Sequence, residues 1–200
     1  MKKVLSLCLM LIFGLNSYSQ NLDMKNLNYN LLDSLVLVRV NSIRDSLGRN
    51  TIHFSKYMRD NVSKVQTNKL VDAKKCFHPE RNGIITNIEN KVFADVQKKN
   101  PKLKVYFDGD LDNMTMEVCI ATGKIDGCKT YQDLAKRLVE RWSTSEAHKM
   151  VLEYYGKNKL STNGKSELYL VGSCSTKLGD YQGFPCVYST LHVGIVFMDL

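Results

Sequence analysis

The apolar periodicity of this 200-residue chain changes once along its length, and that change limits the folds open to it. From Leu27 to Leu47, residues Leu27, Leu31, Leu32, Leu35, Val38 and Ile43 keep close to helical spacing, and Gly48 supplies a stop. A second helical stretch is predicted over about Phe54–Val65, with Phe54, Met58, Val62 and Val65 on one stripe, and Lys69–Glu80 follows it. Asn87–Lys99 reads as a further helix, closed by Asn100-Pro101, and Lys102–Phe107 as a short strand. Thr130 is suited to cap a helix over Tyr131–Ser143, and Ala147–Tyr155 continues as helix to Gly156. Beyond these, Glu167–Lys177 and Cys186–Met198 are rich in Val, Tyr, Leu and Ile around a turn-rich Gly179–Pro185, the pattern of an antiparallel hairpin. Helices followed by a hairpin, without βαβ alternation, predict the α+β class.

The N-terminus constrains where such a domain works. Lys2 and Lys3 precede an apolar run from Val4 to Leu15, and small residues stand at the −3 and −1 positions before Gln20. Residues 1–19 thus have the form of a cleaved secretory signal peptide, which predicts a secreted or periplasmic protein. The run is shorter than the roughly 20 residues a bilayer span needs, so no stable membrane span is expected. Residues 20–30 form a lead-in and 31–198 the folded domain. The net charge of +8 is spread over lysines such as Lys56, Lys64 and Lys69 with acids between them. That reads as a solvated basic surface, and with export it excludes a nucleic-acid partner.

Six cysteines are present; Cys8 leaves with the signal, and the remaining five cannot all pair. Export permits disulfides, and the spacing predicts two local bridges, Cys119–Cys128 and Cys174–Cys186, with Cys76 left as the thiol. No C-x-x-C pair marks a cysteine zinc site. Asp108–Asn113 is acidic but lacks the spaced oxygens and closing glutamate of a calcium loop, and reads as a turn.

Of four histidines, His53, His78, His148 and His192, His148 lies in the most distinctive segment, Trp142-Ser143-Thr144-Ser145-Glu146-Ala147-His148. Trp142, Ser145 and His148 match a W-x-x-S-x-x-H spacing, with Ser145 placed to cap a helix. Here the chain resembles the CAP superfamily (SCP/PR-1-like domain), in its bacterial secreted branch. Asn41 and Arg44 resemble the family's N-x-x-R, and Met58 its position before the first site histidine. His78 stands for that histidine, and Glu117 where the family has a G-E-N glutamate. The likeness extends over roughly Leu31–Phe197. It departs from the family in three places: Glu117 lacks its flanking Gly and Asn, Glu146-Ala147 replaces Pro-Gly, and Ser145 replaces a second acid.

The resemblance implies an α-β-α sandwich, a small antiparallel sheet between helices, with a cleft holding His78, Glu117 and His148. Two imidazoles and a carboxylate can hold a divalent metal such as zinc, leaving a position open for water. Without a metal, the glutamate can orient a histidine as general base. The expected use is a binding or interaction module that engages a lipid, an envelope polymer or another protein. The alternative is an extracytoplasmic hydrolase using those three residues, with Cys76, two residues from His78, as a rival nucleophile.

Overall fold

The computed structural model describes residues 20–77, 85–102, 104–106, 114–149, 152 and 166–199, and over 85–90, 104–106, 114–119, 121–122, 147, 166–168 and 195–199 the description is of the backbone. The predicted signal segment, His78 and the Asp108–Asn113 turn lie outside the described residues, as does most of Ala147–Tyr155.

The first helix, α1 (Tyr29–Ser46), starts where the Asn28 side chain accepts the Leu31 amide, and it ends before Gly48 at φ +64°. Its buried residues Leu32, Leu35, Val36 and Val40 recur at helical spacing. The chain then forms β1 (Ile52–Phe54), so Phe54 is in a strand and the helix predicted from Phe54 begins only after Ser55. A side chain decides this. The Asn41 amide donates to Ile52 O at 2.9 Å and accepts from Ile52 N at 2.9 Å, making both bonds that a neighbouring strand would make. Arg44, fully buried, donates from Nε to Asn50 O at 2.8 Å and secures the turn before the strand. Burial lowers its pKa to about 10, which leaves the guanidinium charged.

Ser55 caps α2 (Lys56–Met58), which runs through a π turn (Arg59–Ser63) into α3 (Lys64–Asp72) without a break, where the sequence suggested two stretches. Next come α4 (Ile85–Lys99), β2 (Lys104–Tyr106) and β3 (Met114–Ala121). Helix α5 (Tyr131–Trp142) opens with a full capping box between Thr130 and Asp133, and α6 (Glu146–Lys149) is a single turn. The hairpin strands β4 (Ser166–Tyr181) and β5 (Phe184–Asp199) are longer than predicted, because only Gln182 and Gly183 turn between them. Both have positive φ, as a two-residue turn matched to the strand twist demands.

The described strands make a five-stranded sheet in the order β1-β4-β5-β2, with β3 also pairing β5. It is antiparallel except where β1 joins β4 in parallel. Helices cover both faces, so the α+β architecture is a helix–sheet–helix sandwich. On one face α1 and α5 pack on Leu170, Cys174, Val187 and Leu191; on the other α2, α3 and α4 meet Val171 and Tyr188. Trp142, Leu134 and Leu138 are fully buried on the first face, where each leucine contributes about 2 kcal/mol. Gly172 is obligatory at the β1–β4 seam: a Cβ there would stand 2.6 Å from Ile52 Cγ2 and 2.7 Å from His192 O.

The predicted disulfides are not formed, and for Cys174–Cys186 the pleat is the reason. Cys76, Cys128, Cys174 and Cys186 are all thiols. Cys174 pairs with Leu191 whereas Cys186 pairs with Gly179, five positions along β4, so the two thiols project from opposite faces. Cys174 joins the α1/α5 core and Cys186 packs with Leu70 and Tyr188. Cys128, the other predicted bridge partner, rests against the α1/α5 core as a thiol. Thiol titration should therefore show exposed Cys76 reacting in the native protein, while Cys174 and Cys186 react only after denaturation. Failure of the latter two to appear in unreduced, denatured protein would contradict the register.

Candidate functional site

The parallel strand β1 covers β4 only from Leu170 to Gly172. Past that point the outer edge of β4 is flanked by α1 on one side and by the π turn and α3 on the other. The gap is a cleft of about 540 Å³ lined by, among others, Tyr29, Asn30, Asp33, Arg59, Lys64 and Lys177.

Asp33 is the chemical centre of this cleft. Its side chain, in a residue only 7% exposed, accepts from Thr176 Oγ1 at 2.7 Å, and the Thr176 amide donates to it as well. One helical turn earlier, Tyr29 Oη lies 3.5 Å from the Leu178 amide. Residues four apart on a helix advance about 6 Å and residues two apart on a strand about 6.6 Å, so Tyr29 and Asp33 match alternate edge groups of β4. Burial lifts the Asp33 carboxyl to about 7, opposed by the Thr176 hydrogen bonds and the charges of Arg59 and Lys64.

The rim is cationic and amide-rich. Arg59 donates from Nη1 to Asn30 Oδ1 at 3.0 Å and from Nε to Asp60, and Lys177 donates to Asn68 Oδ1 at 2.9 Å. In both pairs it is the Oδ1 atom of the asparagine that is engaged, and the amide nitrogens of Asn30 and Asn68 have no partner among the described residues.

A second cleft, of about 480 Å³, lies between α2 and α4. Val92, Val96 and Val171 form an apolar floor, Phe54, Tyr57 and Tyr169 supply aromatic walls, and Lys98 and Lys99 stand at its rim. The Tyr169 ring stacks on His53 with centroids 4.2 Å apart. Burial and Lys99 lower the His53 pKa.

Beneath α3 the sheet carries a sealed polar network. Ser63 Oγ lies 2.7 Å from Ser173 Oγ and 3.1 Å from His192 Nδ1, while Thr67 Oγ1 lies 2.9 Å from Thr190 Oγ1. A serine beside an imidazole is a nucleophile–base pairing in form. Ser63 is fully buried and His192 is 4% exposed, and burial drives the imidazole down to about 3. This pair ties the π turn to the sheet and has no route to a substrate.

Of the three residues predicted to share a cleft, only His148 has a described side chain. His148 is half-buried in α6, Glu117 stands on β3 opposite Thr190 with its side chain not described, and His78 is outside the described residues. Trp142 is fully buried, and the amide of Ser145 donates to its carbonyl at 3.0 Å. Among the described residues no group of three His, Cys, Asp or Glu side chains is placed to hold a metal. Asp33 was missed by the sequence reading, although it had a signal: an acid at helical spacing with Val36, Leu37 and Val40 on the buried stripe of α1.

No family model and no curated protein sequence matches the chain. Among solved structures, it is similar to an outer surface protein of Borrelia burgdorferi, at 14% identity and a TM-score of 0.43, over 87% of this chain and 96% of that one. It is also similar to an extracellular protein containing an SCP domain from Bacillus anthracis, at 13% identity and a TM-score of 0.37. That likeness covers 86% of this chain and 44% of the other, so this chain spans under half of that protein. No helix among the described residues is long and apolar enough to cross a membrane.

Two of the perturbed groups, Asp33 and His192, act in opposite senses on stability as pH changes. Asp33, raised from 3.8 to about 7, keeps a proton in the folded state that the unfolded chain releases, so its contribution to stability falls as pH rises through that window. His192, lowered from 6.5 to about 3, is neutral when folded and takes up a proton on unfolding, so its contribution rises with pH between those values. The two offset one another where the windows overlap, from about pH 4 to 6.5. Asp33→Asn is expected to remove one side of this balance. Urea unfolding of the variant should then gain stability with pH more steeply than wild type over that range. Parallel pH profiles for the two proteins would mean that Asp33 titrates as an ordinary carboxylate.

Proposed function

We propose that the protein is an exported binding module of the CAP type and that the Asp33 cleft is its ligand site. The observation that carries this reading is the placement of a buried, proton-holding carboxyl at the floor of an open cleft, beneath Arg59 and Lys64. A perturbed carboxyl in a cleft is a candidate functional group on physical grounds. The amides of Asn30 and Asn68 and the cations of the rim are groups that orient a polar ligand. Among the described residues that line the cleft, Ser175 is not paired with a base, which favours capture over turnover.

The segment 1–19 supports export, and the Asn41–Arg44 clamp gives two of the family-like landmarks a definite structural task. Among lipid, envelope polymer and protein as partners, the polar lining of this cleft fits an envelope polymer best, since an acyl chain would leave its amides and charges without partners.

Co-sedimentation of the mature protein with insoluble cell-envelope material tests this. Wild type should sediment with it, and Asn30→Ala/Asn68→Ala should weaken the association by about tenfold while unfolding at the same urea concentration. Equal sedimentation of the two proteins would rule the cleft out as the binding site.

A further inference from the structure

The two clefts share a wall. Arg59 donates to Asn30 in the first cleft, and its guanidinium carbon lies 5.8 Å from the centroid of the Phe54 ring, which lines the second. Lys56, on the second cleft, is ion-paired with Asp60, on the first. A ligand leaving the Asp33 cleft over this ridge arrives directly on the aromatic cleft.

We propose that the clefts form one extended groove for an acidic polysaccharide, with the anionic groups read by lysines and the sugar rings by aromatic side chains. This inference rests on the reading of the Asp33 cleft as the ligand site.

Charge comes first. Lys56, Lys98 and Lys99 line the second cleft and Arg59, Lys64 and Lys177 the first, against the acids Asp95, Asp60 and Asp33. The surplus is positive, so an anionic polymer is attracted along the whole path rather than at one point.

Aromatic placement comes second. Phe54 is 44% exposed and Tyr29 36% exposed, and each stands at one of the clefts. A pyranose ring presents polarised C–H groups on one face, which the negative face of an aromatic ring attracts. Amide side chains beside such platforms, here Asn30 and Asn68, suit vicinal hydroxyls because each amide offers donor and acceptor together.

The backbone argues against the other anionic polymer, an acidic peptide. An extended peptide gains affinity by pairing with a free strand edge. Along β4 the Thr176 amide is already bonded to Asp33 and the Leu178 amide approaches Tyr29 Oη, so two edge amides that a peptide strand would need beside the cleft are met by side chains.

The test is titration of the full mature chain with three probes: polygalacturonate, neutral dextran and poly-L-glutamate. Polygalacturonate should bind, dextran should not, and poly-L-glutamate should bind at least about tenfold more weakly. Lys64→Ala/Lys177→Ala and Lys98→Ala/Lys99→Ala should each weaken polygalacturonate binding by about tenfold, and Phe54→Ala should do so without changing its salt dependence. Equal binding of poly-L-glutamate, unaffected by Phe54→Ala, would overturn the saccharide in favour of an acidic peptide. An unaltered affinity in Lys98→Ala/Lys99→Ala would overturn the continuous groove. If polygalacturonate fails to bind while envelope sedimentation still depends on Asn30 and Asn68, this inference falls and the Asp33-cleft reading stands. If neither binds, both fall.

Discussion

The backbone of β4 has to be satisfied along its whole length, and its parallel neighbour β1 reaches only from Leu170 to Gly172. Most of the architecture around the candidate site follows from how that shortfall is met. A buried amide without a partner costs roughly 1–3 kcal/mol, so the uncovered edge draws side chains to it. Asp33 and Tyr29 reach across from α1 to Thr176 and Leu178, and the cost moves from the backbone to the carboxyl, which is buried and holds its proton to about pH 7. The cleft is the space left beside this substitution. Its chemistry comes from the same residues that close the sheet.

The same device appears at β1, where the Asn41 amide stands in for a strand at Ile52. It appears again under α3, where Ser63 and Thr67, four apart on a helix, meet Ser173 and Thr190 on adjacent strands. The π turn at Arg59–Ser63 sets the rotation of this helix, directing Ser63 to the sheet while Arg59 stays on the ridge between the two clefts. Helix and sheet here are joined by polar side chains of matched spacing as well as by the apolar core. A buried network of this kind holds one register, because a slip would leave several hydroxyls and His192 without partners.

Parts of this were legible from residues alone. The α1 stripe, the Gly48 stop, the Thr130 cap and the C-terminal hairpin all rest on local rules of spacing and turn chemistry, and they stand close to where those rules put them. The misreadings share one cause. Phe54 has helical spacing with Met58, Val62 and Val65, yet it is in β1 because Asn41, eleven residues before Ile52, clamps the chain there. The Cys174–Cys186 spacing looked suited to a staple, yet the register puts the two thiols on opposite faces of the sheet. Each outcome depends on a partner distant in sequence, which no local window contains.

By itself the sequence determined the α+β class and the main helices and hairpin, because each depends on periodicity or capping within a few residues. Only the tertiary structure decided that Asp33 is a buried, strongly perturbed carboxyl at an open cleft. Its carboxyl is unusual because packing between α1 and β4 buries it, against the opposing hydrogen bonds from Thr176, which lies far along the chain. Pairing across that distance is a property of the packed sheet, and so is the cleft.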